Sequence, residues 1–165
     1  NDDFLFTDDE GEEEVGYEKS WKVLIVDDEP EVHAVTKLAL SDFTFQHHSL
    51  EFISAYSGAE AKELIVEHPD TAIILLDVVM EMDDAGLQVA EFIRKEANNQ
   101  FVRIILRTGQ PGQAPERHVI VNYDINDYKS KTELTAQKLF TVIMASLRSY
   151  RDIMSIEKNR MGLEP

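Results

Sequence analysis

The sequence has no cysteine, which excludes disulfides and thiolate metal sites. Long apolar runs are also missing. The longest extend over about five residues, far short of the ~20 that a membrane helix needs. No basic-then-apolar leader opens the chain, so no secretion signal is expected. Asn1 stands where a complete chain has Met, which fits a piece excised from something longer. Basic residues are scarce: 16 Lys and Arg face 32 Asp and Glu, for a net charge of −16. A phosphate backbone demands clustered Lys and Arg, so nucleic acid is not an expected partner. The expectation is a cytoplasmic chain with no membrane partner.

What is present is a globular composition. Hydrophobic residues make up 43% of 165, enough for one ordinary domain with flanking segments. The charge is uneven. Residues 1–20 hold nine acids against Lys19 alone, half of the net negative charge. They read as an acidic, disordered arm, interrupted by the apolar island Phe4-Leu5-Phe6.

From Trp21 the pattern becomes regular. Lys22–Val26 is short, β-branched and apolar, as in a strand buried on both faces. Pro30 suits a first helical turn, and helical spacing continues to about Ser41. Further strands are predicted over Glu51–Tyr56, Ala72–Leu76, Val102–Leu106 and Ile125–Tyr128. Helices are predicted over Ala59–His68, Leu87–Glu96, Glu116–Val121 and from Glu133 to beyond Arg151. Strands alternating with helices over short connections imply parallel βαβ units. Right-handed crossovers then place helices on both faces of one doubly wound, five-stranded parallel sheet, an α/β fold. Ligands of such sheets sit at the carboxyl ends of the strands.

Those ends are polar. The first strand ends in Asp27-Asp28-Glu29, the third in Asp77, the fourth in Arg107-Thr108-Gly109, and Lys129 and Lys131 follow the fifth. Converging carboxylates repel one another, so something cationic is expected among them. A hard, oxygen-liganded Mg²⁺ (or Mn²⁺) suits two carboxylates, a backbone carbonyl and waters. A lysine ammonium balances what charge remains, and on chemistry alone either Lys129 or Lys131 would serve. A carboxylate so placed is a competent nucleophile toward phosphorus, and phosphoryl transfer needs mainly positioning and charge neutralisation.

Val-Asp-Asp-Glu-Pro at 26–30, Leu-Leu-Asp-Val-Val-Met at 75–80, Leu-Arg-Thr-Gly at 106–109 and Asp-Tyr-Lys-Ser-Lys at 127–131 resemble the receiver domains of two-component response regulators. The resemblance covers about residues 21–150 and implies the flavodoxin-like strand order 2-1-3-4-5. It makes Asp77 the phosphoacceptor. It makes Asp28 a direct magnesium ligand, Asp27 a ligand largely through water, and the Val79 carbonyl a further ligand. Thr108 and Lys131 would contact the phosphoryl group, the family spacing selecting Lys131 over Lys129. Tyr128 would change rotamer with Thr108 as a switch. The implied partners are a sensor histidine kinase or phosphotransfer protein and an output domain in the same parent chain. The receiver is then a signalling switch and not itself an enzyme. The runner-up is a pseudo-receiver, a phosphorylation-independent interaction module. A small-molecule phosphotransferase or hydrolase would need a general acid or base and a substrate pocket, and the sequence displays neither. The stretches at 106–116 and 123–129 also resemble a bacterial subfamily in which the receiver precedes a domain of unknown function. That subfamily often carries an HD-type cyclic-di-GMP phosphodiesterase as well.

Two positions depart from the family pattern. Thr132 follows Lys131 where the family has proline in a cis bond. The segment Met80–Gly86 lacks the family's proline and is one residue longer. Its acids read either as a solvated loop or as contacts for a metal or the kinase. Beyond the receiver, 151–165 reads as a linker helix. Phe140, Leu147, Met154 and Met161 recur every seven residues, with Ile143 and Tyr150 three after the first two. Tyr150, Met154 and Met161 are expected past the domain edge, where they would pair this helix with a second copy of the chain.

Overall fold

The structure, a computed structural model, describes residues 20–109, 117–131 and 135–162. The sheet is built from strands β1 (Trp21–Val26), β2 (Thr44–Phe45), β3 (His48–Ala55), β4 (Thr71–Asp77), β5 (Arg103–Thr108) and β6 (Asp127–Ser130). Between them lie helices α1 (Pro30–Ala39), α2 (Gly58–Glu67), α3 (Ala85–Glu91) and α4 (Arg117–Asn122), and α5 (Ala136–Arg160) follows the last strand. The strand order is β2-β3-β1-β4-β5-β6.

Among the described residues the sheet has six strands where five were expected, so the expected order needs renumbering. The additional strand is β2, antiparallel to β3 at the edge. The five parallel strands keep among themselves the order that the resemblance implied. Phe45 pairs with His48 across a two-residue turn in which Gln46 and His47 both take positive φ, 53° and 68°. Such a turn normally announces itself by Asn-Gly or Asp-Gly. Gln-His carries no such signal, and the long strand opens at His48, three residues before the start expected at Glu51.

Pleating sorts the core into two layers. On β1, Leu24 and Val26 join one cluster and Val23 and Ile25 the other. On β4, Ile74 and Leu76 alternate with Ile73 and Leu75 in the same way. The first layer packs under α2 through Ala61 and Ile65, under α3 through Val89, and under the turn that continues α3 through Ile93. The second packs under α5 through Leu139, Ile143, Leu147 and Tyr150. Every residue of β4 is buried, as a central parallel strand requires.

Two helices differ from expectation. The helix predicted over Leu87–Glu96 turns π-helical at Phe92–Glu96. There the buried Arg94 reaches out to the carbonyls of Tyr123, Asn99 and Asp124. The α5 helix runs 25 residues, about 37 Å at 1.5 Å per residue. Tyr150 and Met154 do not project past the domain. Tyr150 is only 8% exposed, meets Trp21 edge-on at 6.5 Å and donates to the Asp70 carbonyl at 3.4 Å. Met154 packs on the same cluster. Met161, by contrast, is exposed. Among the described residues no helix is long and apolar enough to cross a membrane. The acidic arm and Thr132 lie outside the described residues.

Candidate functional site

The carboxyl ends of β1, β4 and β5 and the residue after β6 converge. Val26 lies opposite Leu76 in the β1–β4 register, so Asp27 comes beside Asp77. Asp77 in turn is the register partner of Arg107. One carboxylate oxygen each from Asp27, Asp28 and Asp77 lies within 4.8 Å of the others. Asp27 is fully buried, Asp77 is 4% exposed, and Asp28 is open to solvent.

The backbone holds these groups in place. Asp27 Oδ1 accepts from the Glu29 amide at 2.9 Å, which closes the turn into α1. His33 lies behind, its Nε2 2.8 Å from the Asp27 carbonyl and its Nδ1 2.9 Å from Ser54 Oγ. A carbonyl can only accept, so Nε2 donates to it. His33 thus fastens the end of β1 to β3, a tie that no ligand spacing in the sequence revealed. On the far side, Gly86 allows the loop after Asp77 to fold back onto the strand. A Cβ at that position would collide with the Asp77 carbonyl oxygen, and the Gly86 amide donates to the Val78 carbonyl at 2.9 Å.

Of the two candidate lysines, Lys131 reaches the acids. Its Nζ lies 2.9 Å from Asp27 Oδ2, 3.3 Å from Glu29 Oε1 and 3.4 Å from Asp77 Oδ2. Its amide bonds the Thr108 carbonyl at 2.6 Å, which fixes the approach. Lys129 instead points to Asp127 at 3.9 Å. Thr108 is buried at the end of β5, in register with Ser130. Tyr128 is half-buried and packs on the α2/α3 side of the core. Val79, two residues past Asp77, is half-buried on the same side.

Burial pushes the Asp77 carboxyl up to about 6, and repulsion from Asp27 adds to this while Lys131 opposes it. Burial alone would pull the Lys131 ammonium down. Its hydrogen bond to Asp27 and the charges of Asp77, Asp27 and Glu29 outweigh burial and leave it raised. The site is therefore a carboxylate cluster short of positive charge, with one ammonium already engaged. Its donors are all hard oxygens, the set that suits a small divalent cation.

The loop acids do something the sequence left open. Glu81 accepts from the Gly58 amide at 2.9 Å and from the Ala59 amide at 3.3 Å, so it caps α2. Those backbone donors hold its carboxyl below the ordinary value. Asp84 accepts from Gln88 at 2.9 Å. Neither acid joins the cluster of Asp27, Asp28 and Asp77.

Comparison with known proteins gives a consistent picture. A family model described as the response regulator receiver domain matches residues 23–144. The 3'3'-cGAMP-specific phosphodiesterase 2 of Vibrio cholerae is 51% identical over 146 residues. That match covers 88% of this chain and 28% of the phosphodiesterase, so the chain spans little more than a quarter of that relative's length. Among solved structures, a CheY-like receiver domain protein from Methanospirillum hungatei superposes with a TM-score of 0.64 at 20% identity, covering 81% of this chain and 98% of that one. The signal receiver domain of an HD domain-containing protein from Pseudomonas fluorescens superposes at 0.67 and 16% identity, covering 83% and 93%.

Proposed function

From the premise that the chain belongs to the response regulator receiver family, we propose that Asp77 accepts a phosphoryl group from a histidine kinase or phosphotransfer protein, with a magnesium ion held by Asp27, Asp28, Asp77 and the Val79 carbonyl. One observation carries this reading: a buried carboxylate with a raised pKa faces an ammonium and two further carboxylates at the strand ends. A magnesium ion, when bound, supplies the positive charge that draws the phosphoryl oxygens and lets Asp77 ionise beside Asp27.

The residues of the chain do the rest. Asp77 attacks phosphorus through a carboxylate oxygen. The new P–O bond forms as the P–N bond to the donor imidazole breaks, and the imidazole leaves with the electron pair and takes a proton. Lys131 neutralises a phosphoryl oxygen, and the Thr108 hydroxyl binds another. Tyr128 follows Thr108 and carries the change to the face around β6. The receiver itself turns over no external substrate. We place it in the cytoplasm, upstream of an output domain in the parent chain. The Vibrio cholerae relative suggests a cyclic-dinucleotide phosphodiesterase for that output.

Acetyl phosphate with Mg²⁺ tests the assignment. The native chain should gain the mass of one phosphoryl group, labile to hydroxylamine, and lose the gain when the metal is chelated. Asp77→Asn should gain nothing. Full labelling of that variant would place the phosphoacceptor elsewhere.

A further inference from the structure

The loop between β4 and α3, residues 78–84, contains no proline, and its residues 81–84 are exposed. Nothing in its composition stiffens the backbone. Yet this loop carries the Val79 carbonyl, and magnesium demands near-ideal octahedral geometry, with ligands at ~2.0–2.1 Å. A carbonyl on a loose loop would have to be ordered each time an ion bound, at a cost in entropy.

The backbone bonds of the loop fall on either side of Val79. The Val78 amide donates to the Arg107 carbonyl at 3.2 Å, and the Val78 carbonyl accepts from Gly86 at 2.9 Å. The Met80 amide donates to the Met82 carbonyl at 3.1 Å, and the Ala85 amide donates to the same carbonyl at 3.2 Å. The chain is thus folded tightly at Glu81, but the bonds after Val79 stay within the loop and the start of α3. Glu81 adds a tie to another element. Its carboxylate takes the amides of Gly58 and Ala59, the first two residues of α2. The approach is close: a Cβ on Gly58 would lie 3.3 Å from Glu81 Oε2. The anchor is firm, because α2 packs on the core through Ala61 and Ile65 and is capped separately by Ser57. Glu81 lies outside the cluster of Asp27, Asp28 and Asp77, so its hold on an ion there runs through the backbone.

Resting on the assignment of a magnesium ion to the acid cluster, we propose that Glu81 is a positioning residue for that ion. By fastening the loop to the N-terminus of α2, it holds the Val79 carbonyl in place. The coupling is reciprocal. An ion bound at the acids steadies the loop, and so tightens the grip of Glu81 on Gly58 and Ala59. The N-terminus of α2 then registers the state of the acid cluster through a side chain outside that cluster.

Thermal melts of the whole chain against magnesium chloride concentration, without phosphodonor, give a dissociation constant for each variant. Glu81 is exposed, so its variants should fold. Glu81→Ala should weaken magnesium at least about threefold, less than the ~10-fold or more lost with partners bonded directly to metal ligands. Glu81→Gln keeps the length and one acceptor while losing the charge, and should bind magnesium more tightly than Glu81→Ala. Ser57→Ala removes the other cap of α2. It should lower the melting temperature and leave the magnesium constant within about twofold of native. Amide exchange gives a readout that helix stability alone would not move. Magnesium should slow exchange at Gly58 and Ala59 in the native chain and in Ser57→Ala, but not in Glu81→Ala. A native constant in Glu81→Ala would overturn the proposal. So would an equal loss in Glu81→Gln, which would assign the effect to charge, or an equal loss in Ser57→Ala, which would assign it to the helix. Exchange at Gly58 and Ala59 that ignores magnesium in the native chain would overturn it as well. A native chain that binds no magnesium would instead overturn the assignment of the ion, and this proposal with it.

Discussion

Burial and the neighbouring Asp27 push the Asp77 carboxyl from its ordinary 3.8 to about 6, so its ionisation weakens the fold. The sign follows from proton binding. Below pH ~4 both folded and unfolded chains hold the proton, and Asp77 contributes no pH dependence. Between ~4 and ~6 the unfolded chain releases it first, and above ~6 the full destabilisation is present. In the absence of divalent ions, Asp77→Asn should stabilise the protein by about 1–3 kcal/mol at pH 8 and by little at pH 4. Urea unfolding at the two pH values measures the difference, and equal effects at both would contradict the raised pKa. Magnesium should reverse the penalty in the native chain. At a hundredfold excess over its dissociation constant, binding to the folded state adds about 2.7 kcal/mol. The gain should largely vanish in Asp77→Asn, as thermal melts with and without the metal would record. Val79 offers the route to Asp77 an apolar branch that cannot orient water. Val79→Asn should therefore speed loss of the phosphoryl group several-fold after the donor is removed, and an unchanged lifetime would discard this account.

At the scale of elements, the loop after β4 is tied at both ends. Gly86 folds it back on Asp77, and Glu81 caps α2 through two backbone amides. The added residue and the missing proline are thus compatible with an ordered connection. Ser57 caps the same helix through the Glu60 amide at 3.1 Å, so the two caps share the work. Glu81→Gln should keep the hydrogen-bond acceptor while losing the charge at the helix N-terminus, and should cost about 0.3–1 kcal/mol. Chemical denaturation resolves that. A larger loss would mean that Glu81 does more than cap. The heptad pattern on α5 has a comparable explanation. Ile143, Leu147 and Tyr150 are buried in their own domain, so a spacing that suggested a second helix is mostly satisfied by the sheet. Leu147→Ala should accordingly cost about 2–5 kcal/mol in the isolated chain.

For the whole molecule, the most open apolar side chains of α5 lie in its last turns. Ile156 is 67% exposed and Met161 55%, and Phe140 is partly open at the other end of the helix, while Ile143, Leu147 and Tyr150 are covered. We expect pairing with a second copy to rest on this end alone. Beryllofluoride with magnesium should raise the sedimenting mass toward a dimer, and Ile156→Asp should return it to a monomer. A monomer under both conditions at high concentration would remove pairing from the isolated chain. The net charge of −16 opposes such association, so it should strengthen with added salt.

The sequence by itself determined the parallel α/β class, the five strand cores and the acids at their ends. The physical reason is local. A strand buried on both faces must be a short apolar run, and a polar residue can appear only where that run emerges. The motifs around Asp27, Asp77, Thr108 and Lys131 were legible because each sits at such an emergence. Tertiary structure decided what depends on distance across the fold. It placed Lys131, and not Lys129, against Asp27 and Asp77, because the chain must first leave β6 to point inward. It closed Gln46-His47 into a turn that adds an edge strand, with contacts overriding weak turn propensity. It set Glu81 on α2 and His33 between two strands, partners 22 or more residues away for Glu81 and 21 for the His33–Ser54 pair.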